Sequence, residues 1–132
     1  MVEVLKRDLF GSVVRREGDG AVERLVTRRL PWRWIAGHLA ARERRALERL
    51  EGAAGVPHLV GRSSGGHVRS WLPGQPLHSA GVQPPTFFDD LGALVASLHD
   101  AGVAHCDLAK EPNILVGPDG RPALCDFQLA VL

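Results

Sequence analysis

The residues of this chain best suited to chemistry lie in its last quarter, where Asp107, Asn113 and Asp126 stand beside short apolar runs. Two of these runs, Ile114–Val116 and Ala123–Cys125, flank a Gly-Pro-Asp-Gly turn, and this pattern predicts a β-hairpin. Asn113 and Asp126 lie almost symmetrically about that turn, so antiparallel pairing should bring them together at the open end, within reach of Asp107. Carboxylate and amide oxygens suit Mg²⁺ held together with substrate phosphates. The spacing therefore predicts a magnesium–phosphate site.

The sequence around these residues resembles the catalytic loop and metal-binding motif of the protein-kinase-like superfamily. The family pattern is H-R-D-L-x-x-x-N followed by D-F-G. This chain has H-C-D-L-A-K-E-P-N from His105 to Asn113 and D-F-Q from Asp126. The resemblance is closest to the compact bacterial branches, RIO-like or lipopolysaccharide-kinase-like, which tolerate departures in this loop. It implies an ATP-dependent phosphotransferase that passes the γ-phosphate to a hydroxyl of protein Ser/Thr or of a sugar-lipid.

The resemblance also implies a role for each polar residue of this region. Asp107 accepts or orients the proton of the acceptor hydroxyl, and Lys110 steadies the γ-phosphate. Asn113 and Asp126 hold the Mg²⁺ that accompanies ATP. Cys106 replaces an arginine that in many kinases senses activation-loop phosphorylation, so that form of regulation is not expected.

Three positions in the first half are assigned to cofactor binding by the same resemblance. Gly11 keeps the end of the glycine-rich loop, where backbone amides and the Lys6 ammonium would donate to phosphates. Arg28, or else Arg29, stands where the third-strand lysine is expected, although a planar guanidinium is not equivalent to an ammonium. Glu43 projects from the apolar face of the next helix and would pair with that base, because an unpaired buried charge is unfavourable. The alternatives are a plain turn glycine, an exposed strand-end arginine and a surface glutamate.

The expected fold class is α+β, a protein-kinase-like antiparallel N-lobe sheet with one helix, a hinge, and a reduced C-lobe of one helix plus the catalytic-loop hairpin. Apolar spacing predicts helices over residues 35–50 and 87–100, the second with Thr86 as its N-cap. Strand signals fall at Val2–Leu5, Ser12–Arg16, Glu23–Thr27, His58–Arg62 and His67–Leu72.

The Pro- and Gly-punctuated segment over residues 71–77 resembles the hinge between kinase lobes. Residues 1–72 are therefore expected to form an N-lobe-like unit and residues 73–132 a reduced C-lobe-like unit. The 132 residues are enough for one modest domain, and a complete kinase fold needs about twice that length. The chain is interpreted either as a fragment or as a reduced kinase-like unit.

Charge is unevenly distributed between the two halves. Residues 1–50 carry 12 Lys and Arg against 7 Asp and Glu, whereas residues 51–132 carry 4 against 8. This asymmetry would suit an anionic partner such as ATP phosphates, nucleic acid or a membrane surface. A solvated Arg-rich helix is the preferred interpretation, so nucleic acid is not an expected partner, while peripheral membrane contact stays an open alternative.

The two cysteines, Cys106 and Cys125, form no C-x-x-C pair and indicate no secreted disulfide scaffold. A zinc site that adds His99 and His105 to them is disfavoured, because the spacings match no usual zinc pattern. No apolar run approaches 18 residues and no signal-peptide core is seen, so a cytoplasmic protein is expected. The main rival function is a non-catalytic, pseudokinase-like module that binds a nucleotide or a partner.

Overall fold

The computed structural model describes residues 3–8, 11–16, 20–29, 32–63 and 66–132. The first sheet contains five strands: β1 (Glu3–Asp8), β2 (Gly11–Arg15), β3 (Val22–Val26), β4 (Leu59–Ser63) and β5 (Gly66–Arg69). Their order across the sheet is β1-β2-β3-β5-β4, and each neighbouring pair is antiparallel. Helix α1 (Trp32–Arg49) separates β3 from β4 in sequence and contacts β3, β4 and β5.

The second half contains one long helix and a smaller sheet. Strand β6 (Gln75–Pro76) precedes helix α2 (Pro85–Asp100), and the hairpin β7 (Ile114–Val116) and β8 (Pro122–Leu124) follows. These three strands pair antiparallel in the order β6-β7-β8. The chain is therefore an α+β structure, and its first sheet together with α1 is compatible with a kinase N-lobe.

One apolar core joins the two halves. It includes side chains from the second half of α1, from α2, from the β7–β8 hairpin and from the segment that follows it. Its buried members are Ala46, Leu47, Leu50, Val56, Phe87, Leu98, Val103, Ile114, Leu124, Phe127 and Ala130. Because α1 contributes both to this core and to the contact with the first sheet, it fixes the position of the first sheet relative to the second half of the chain.

The apolar spacing that predicts α1 places Ile35 on its inward face together with Ala46, Leu47 and Leu50, and only the last three are buried. Ile35 is 48% exposed, whereas Ala36 and Ala40 are buried. Small side chains there let the helix approach the sheet closely, and they place Glu43 on the same face. The helix also begins at Trp32, earlier than predicted.

The N-cap prediction for α2 is wrong. The helix begins at Pro85 with Pro84 as its N-cap, and no side chain caps it, so Thr86 lies inside the first turn. Proline is well suited to the first helical position because its φ is preset and its missing N–H has no partner there in any case.

The predicted strands are present, with small shifts of their ends. The second hairpin consists of β4 and β5, which ends at Arg69 rather than Leu72. The last strand is shifted back by one residue, to Pro122–Leu124. Residue 2 of the first predicted strand, residue 10 of the glycine-loop segment and residues 18–19 of the first turn lie outside the described residues, as does the side chain of Lys6.

Candidate active site

The loop before β7 is built around His105, which is 2% exposed. Its Nδ1 accepts a hydrogen bond from the backbone N–H of Asp107 at 3.1 Å. The proton of the neutral ring therefore lies on Nε2, which donates to the carbonyl of Cys125 at 2.8 Å. The ring also packs edge-on against Phe127, with 4.7 Å between ring centroids. His105 thus ties the loop that carries Asp107 to the segment that carries Asp126.

Asp107 and Asn113 are in direct contact. The Asn113 amide Nδ2 donates to the backbone carbonyl of Asp107 at 3.0 Å and to its Oδ2 at 3.1 Å. Since Asn113 is only 6% exposed, these bonds orient it firmly. Using the amide nitrogen in this way leaves Oδ1 as the Asn113 atom able to bind a ligand. Lys110 Nζ lies 3.8 Å from the Asp107 Oδ2, with its side chain 67% exposed.

Asp126 reaches the cleft through an unusual backbone conformation. Its φ is +63°, and Cys106 has a φ of +67°. These two are the non-glycine residues with positive φ in the part of the chain that the structure describes. Such conformations are disfavoured for residues with a side chain and tend to persist at functional sites. The Asp126 Oδ1 lies 3.7 Å from Arg24 Nη2.

Glu43 is fully buried and is the centre of a cluster of charged side chains, which we call the Glu43 cluster: Arg24, Glu43, His67 and Arg69. Arg24 donates to both carboxylate oxygens, from Nε at 3.0 Å and from Nη2 at 3.3 Å. His67 Nε2 lies 2.9 Å from Oε1, and Arg69 Nε lies 3.6 Å from the same atom. The backbone N–H of Phe127 donates to Oε2 at 2.9 Å.

The strand register explains why these side chains meet. Arg24 is opposite His67, and Val22 is opposite Arg69, in the antiparallel pair of β3 and β5. Since side chains alternate between the two faces of a strand, the two residues of β3 and the two of β5 in these pairs all lie on one face of the sheet. Helix α1 packs on that face and supplies the carboxylate.

The electrostatic balance of the cluster favours ionised Glu43. Burial opposes ionisation of the carboxyl, but the positive charges of Arg24 and Arg69 and the hydrogen bonds from His67 and Arg24 outweigh it. Together they hold the pKa of Glu43 well below its usual range. The carboxylate is therefore charged at neutral pH and keeps Arg24 at the edge of the cleft.

A second contact between α1 and the end of the chain comes from Arg42. Its guanidinium donates to the backbone carbonyl of Ala130 at 3.1 and 3.2 Å and to that of Leu129 at 3.2 Å. Together with the hydrogen bond that the Phe127 N–H donates to Glu43, this fixes the segment after Asp126 against the helix.

A cavity of about 500 Å³ lies between the two sheets. It is lined by apolar side chains from both sheets, by polar side chains of the loop before β7 and by two arginines of the Glu43 cluster. Its lining includes Val13, Val22, Arg24, Arg69, Trp71, Leu72, Lys110, Asn113, Leu115, Cys125 and Asp126. A second cavity, of about 630 Å³, lies near α2 and the β7–β8 turn, and none of the predicted site residues lines it. The first cavity is therefore the candidate site.

Lys110, Asn113 and Asp126 line this cavity. Asp107 is not among the lining residues but contacts both Asn113 and Lys110.

The structure does not bring Arg28 to Glu43. Strand β3 ends at Val26, so Arg28 lies exposed beyond it. Arg24 pairs with Glu43 instead, because it lies with Val22 on the face of β3 that α1 covers. The sequence gives no clear signal for this choice, since the apolar residues Val22 and Leu25 fall on opposite faces of the strand.

Gly11 lies at the start of β2 with a φ of +143°. A Cβ there would meet the backbone oxygen of Leu25 at 1.9 Å, so only glycine fits. Gly11 is not among the residues that line the cavity. His67 and Arg69 were not identified from the sequence, because their roles depend on the register of β5 against β3.

The donor set suits Mg²⁺ shared with phosphates. Among the described residues, no group of three or more His, Cys, Asp or Glu side chains could hold a metal ion by itself. Asn113 and Asp126 offer hard oxygens in the same cavity. Mg²⁺ is usually bound by one or two protein oxygens together with water and substrate phosphates, and these two residues fit that requirement.

Comparison with known proteins finds serine/threonine kinases. The chain is 44% identical over 54 residues to the probable serine/threonine-protein kinase KKQ8 of Candida glabrata, covering 41% of this chain and 7% of that protein. It is 44% identical over 54 residues to the serine/threonine-protein kinase HAL5 of Saccharomyces cerevisiae, covering 41% and 6%. A probable HAL5-like kinase of Eremothecium gossypii is 46% identical over 60 residues, covering 46% and 8%.

These matches show a partial, kinase-like relationship. The chain spans less than a tenth of the length of these curated relatives. No protein-family model matches it. Within the described residues, neither helix is both long and apolar enough to cross a membrane.

Proposed function

We propose that this chain forms the nucleotide site of a Mg²⁺-dependent kinase that transfers the γ-phosphate of ATP to a hydroxyl of protein Ser/Thr or of a sugar-lipid. The observation that carries the proposal is the pair of hydrogen bonds from Asn113 to Asp107, in a cleft that also contains Asp126 and Arg24. The similarity to serine/threonine kinases supports it.

Each residue would act through position and charge. Asp107, oriented by Asn113, would accept a hydrogen bond from the acceptor hydroxyl and take its proton as the hydroxyl oxygen bonds to the γ-phosphorus. The bond from that phosphorus to the bridging oxygen breaks at the same time, and ADP leaves with the electron pair. Lys110 and Arg24 would neutralise charge on the phosphate oxygens, with Arg24 held in place by Glu43. Asn113 and Asp126 would hold Mg²⁺, which supplies charge neutralisation across the phosphates.

The proposal extends to the organisation of the chain. Residues 1–72 would correspond to a kinase N-lobe and residues 73–132 to the first part of a C-lobe, with the cleft between them. The position in the superfamily would be near the RIO-like and lipopolysaccharide-kinase-like branches, and the setting would be the cytoplasm, where ATP is available.

The test is the thermal unfolding of the 132-residue chain with and without Mg²⁺-ATP. Ligand at about 100 times its Kd should stabilise the chain by about 2.7 kcal/mol, a shift of several degrees for a domain of this size. Asp126→Ala should abolish the shift, because it removes a metal ligand. Asp89→Ala, an exposed site on α2, is the matched control and should keep it.

A second candidate, the non-catalytic module, is favoured by one observation. An arginine, Arg24, occupies the place opposite Glu43 and is also ion-paired with Asp126. Under this alternative, Mg²⁺-ATP would bind but Asp107→Asn would leave the biological effect of the protein unchanged. Phosphate transfer to an acceptor that is lost in Asp107→Asn, with ATP binding retained, would decide for the kinase.

A further inference from the structure

The outward surface of α1 combines exposed apolar side chains with basic ones. Trp34 is 76% exposed and Ile35 is 48% exposed, both in the first turn of the helix. The basic side chains that continue from them along the helix, at spacings of three and four residues, are His38, Arg42, Arg45 and Arg49. Residues at these spacings are neighbours on a helix surface, so these side chains form one stripe about 22 Å long. We call it the outer stripe of α1.

Helix α1, which the structure describes over its whole length, supplies no acidic side chain to the outer stripe. Its glutamates lie on other sides of the helix. Glu43 is buried in the Glu43 cluster, and Glu48 lies 3.6 Å from Arg44. The positive charge of the stripe is therefore not balanced by the helix that carries it.

Residues 130–132 lie beside the outer stripe and extend its apolar surface. Val131 and Leu132 are each 51% exposed. Hydrogen bonds of 2.9 Å in both directions between the backbones of Val131 and Ala104 hold this segment in place. A cavity of about 240 Å³ lies between the segment and the stripe, and its lining residues are His38, Arg42, Arg45, Ala130, Val131 and Leu132. Basic side chains thus surround a small cavity that has exposed apolar side chains close by.

We propose that the outer stripe of α1 and residues 130–132 form a membrane-contact surface that binds the anionic headgroups of a phospholipid bilayer. Charge complementarity carries the proposal, because basic side chains near a bilayer are attracted to its anionic lipids. An exposed tryptophan suits the headgroup level, where its ring meets apolar chains and its N–H meets water. The apolar side chains beside it would enter the boundary between headgroups and acyl chains. This inference does not depend on the nucleotide site.

A bilayer fits this surface better than an acidic protein does. The basic and apolar side chains are mixed on the outer, convex side of a helix, and a bilayer can contact both kinds without a matching shape. The cavity is smaller than the roughly 300–1,000 Å³ of a usual ligand pocket. It suits a single lipid phosphate, and it is no groove in which a partner helix or strand could lie.

The experiment measures the binding of the 132-residue chain to vesicles by co-sedimentation. One set of vesicles contains phosphatidylcholine alone, and the other contains phosphatidylcholine mixed with phosphatidylserine. We expect binding to the mixed vesicles and binding at least about tenfold weaker to phosphatidylcholine alone. Binding to the mixed vesicles should weaken as the salt concentration rises from about 0.1 M to about 0.5 M, because salt screens charges at a surface.

Two variants of the outer stripe test which surface meets the lipid. Arg45→Gln removes one exposed charge and should weaken binding to the mixed vesicles by about fivefold. Trp34→Ala removes the largest exposed apolar side chain of the stripe and should weaken it by about tenfold. Arg121→Gln and Phe88→Ala are the matched controls, since these exposed side chains lie outside the stripe, and both should leave binding unchanged.

Tryptophan fluorescence gives a second readout, which reports the contact itself. Lipids with brominated chains quench a tryptophan that reaches them. Trp34→Phe should remove most of the quenching seen with the unmodified chain, whereas Trp71→Phe, in the hinge segment, should keep it. Urea titration of each variant checks that it is folded, and Arg45→Gln gives the answer if a Trp34 variant is not.

The other possible results would overturn the proposal. Equal binding to both kinds of vesicle, or binding to neither, would do so. Binding to the mixed vesicles that Arg45→Gln and Trp34→Ala leave unchanged would mean that another surface contacts the lipid. A chain that binds polyglutamate and no vesicles would show that this surface meets an acidic protein instead. The nucleotide site is tested separately, by thermal unfolding with Mg²⁺-ATP.

Discussion

The loop before β7 and the Glu43 cluster both contribute side chains to the lining of one cavity but are built in different ways. The loop positions Asp107 and Asn113 through hydrogen bonds between residues at most 20 positions apart in sequence, such as that from His105 to the Cys125 carbonyl. The Glu43 cluster joins α1, β3, β5 and the segment after Asp126, with one bond that spans 84 positions. The first arrangement relies on local spacing and on hydrogen bonds from the neutral side chains of His105 and Asn113, and the second on buried charges brought together by packing.

The difference has a consequence for stability. Removing one member of a buried charge cluster leaves the others without compensation, whereas removing one neutral hydrogen-bonding group has a smaller effect. The Glu43 cluster should therefore contribute more to the stability of the chain than the loop before β7, which contains Asp107, the residue to which we assign the proton transfer of the proposed reaction. Three substitutions test this division.

The largest effect is expected for Glu43→Gln. This change leaves Arg24 and Arg69 buried without their counter-ion and should lower the free energy of unfolding by about 3–5 kcal/mol at pH 7. Chemical denaturation with urea measures it. Because folding lowers the pKa of Glu43, its contribution is present above the unfolded-state pKa of about 4.3 and is lost as the pH falls below that value.

The stability difference between the original chain and Glu43→Gln should accordingly be constant from about pH 7 to 5 and narrow at lower pH. A difference that did not depend on pH down to the acid limit of folding would mean that Glu43 is not ionised in the cluster. If Glu43→Gln lowered the free energy of unfolding by less than about 1 kcal/mol at pH 7, the Glu43 cluster would contribute no more to stability than the loop before β7.

Next in size is the contrast between Arg24→Met and Arg28→Met. Arg24→Met should lower the free energy of unfolding by about 2 kcal/mol, less than Glu43→Gln because His67 and Arg69 still face the carboxylate. Arg28→Met should change it by less than about 0.5 kcal/mol, since Arg28 is exposed beyond β3. Parallel urea titrations of the two variants measure both changes. Equal losses of stability would mean that Arg24 is not the main partner of Glu43.

The smallest of the three effects is expected for Asn113→Ala, at about 1–2 kcal/mol, because two hydrogen bonds to Asp107 are lost. Gln83→Ala is the matched control, since that amide also donates to two carbonyls, those of Ala80 and Gly81, but in a loop before α2. The control should change the urea midpoint little. A loss for Asn113→Ala as large as that for Glu43→Gln would show that the loop, too, is a main source of stability.

The sequence by itself predicted that Asp107, Asn113 and Asp126 would lie close together, and the structure has Asn113 in contact with Asp107 and in the same cavity as Asp126. Hydrophobic runs on either side of a Gly-Pro-Asp-Gly turn define the hairpin, and a hairpin brings the residues at its open end together whatever surrounds it. Asp107 and Asn113 needed only a short loop to meet. The α+β class and the approximate extents of both helices followed from apolar spacing in the same way.

Only the tertiary structure decided which base faces Glu43. On β3 and just after it the sequence offers arginines at positions 24, 28 and 29, and the choice among them depends on where the strand ends and which face α1 covers. The roles of His67 and Arg69 depend on the register of β5 against β3, where a slip of one residue would turn both to the other face. Local spacing is encoded in a few neighbouring residues, whereas register and helix placement result from the packing of the whole core, and that is why the Glu43 cluster could not be predicted from the sequence.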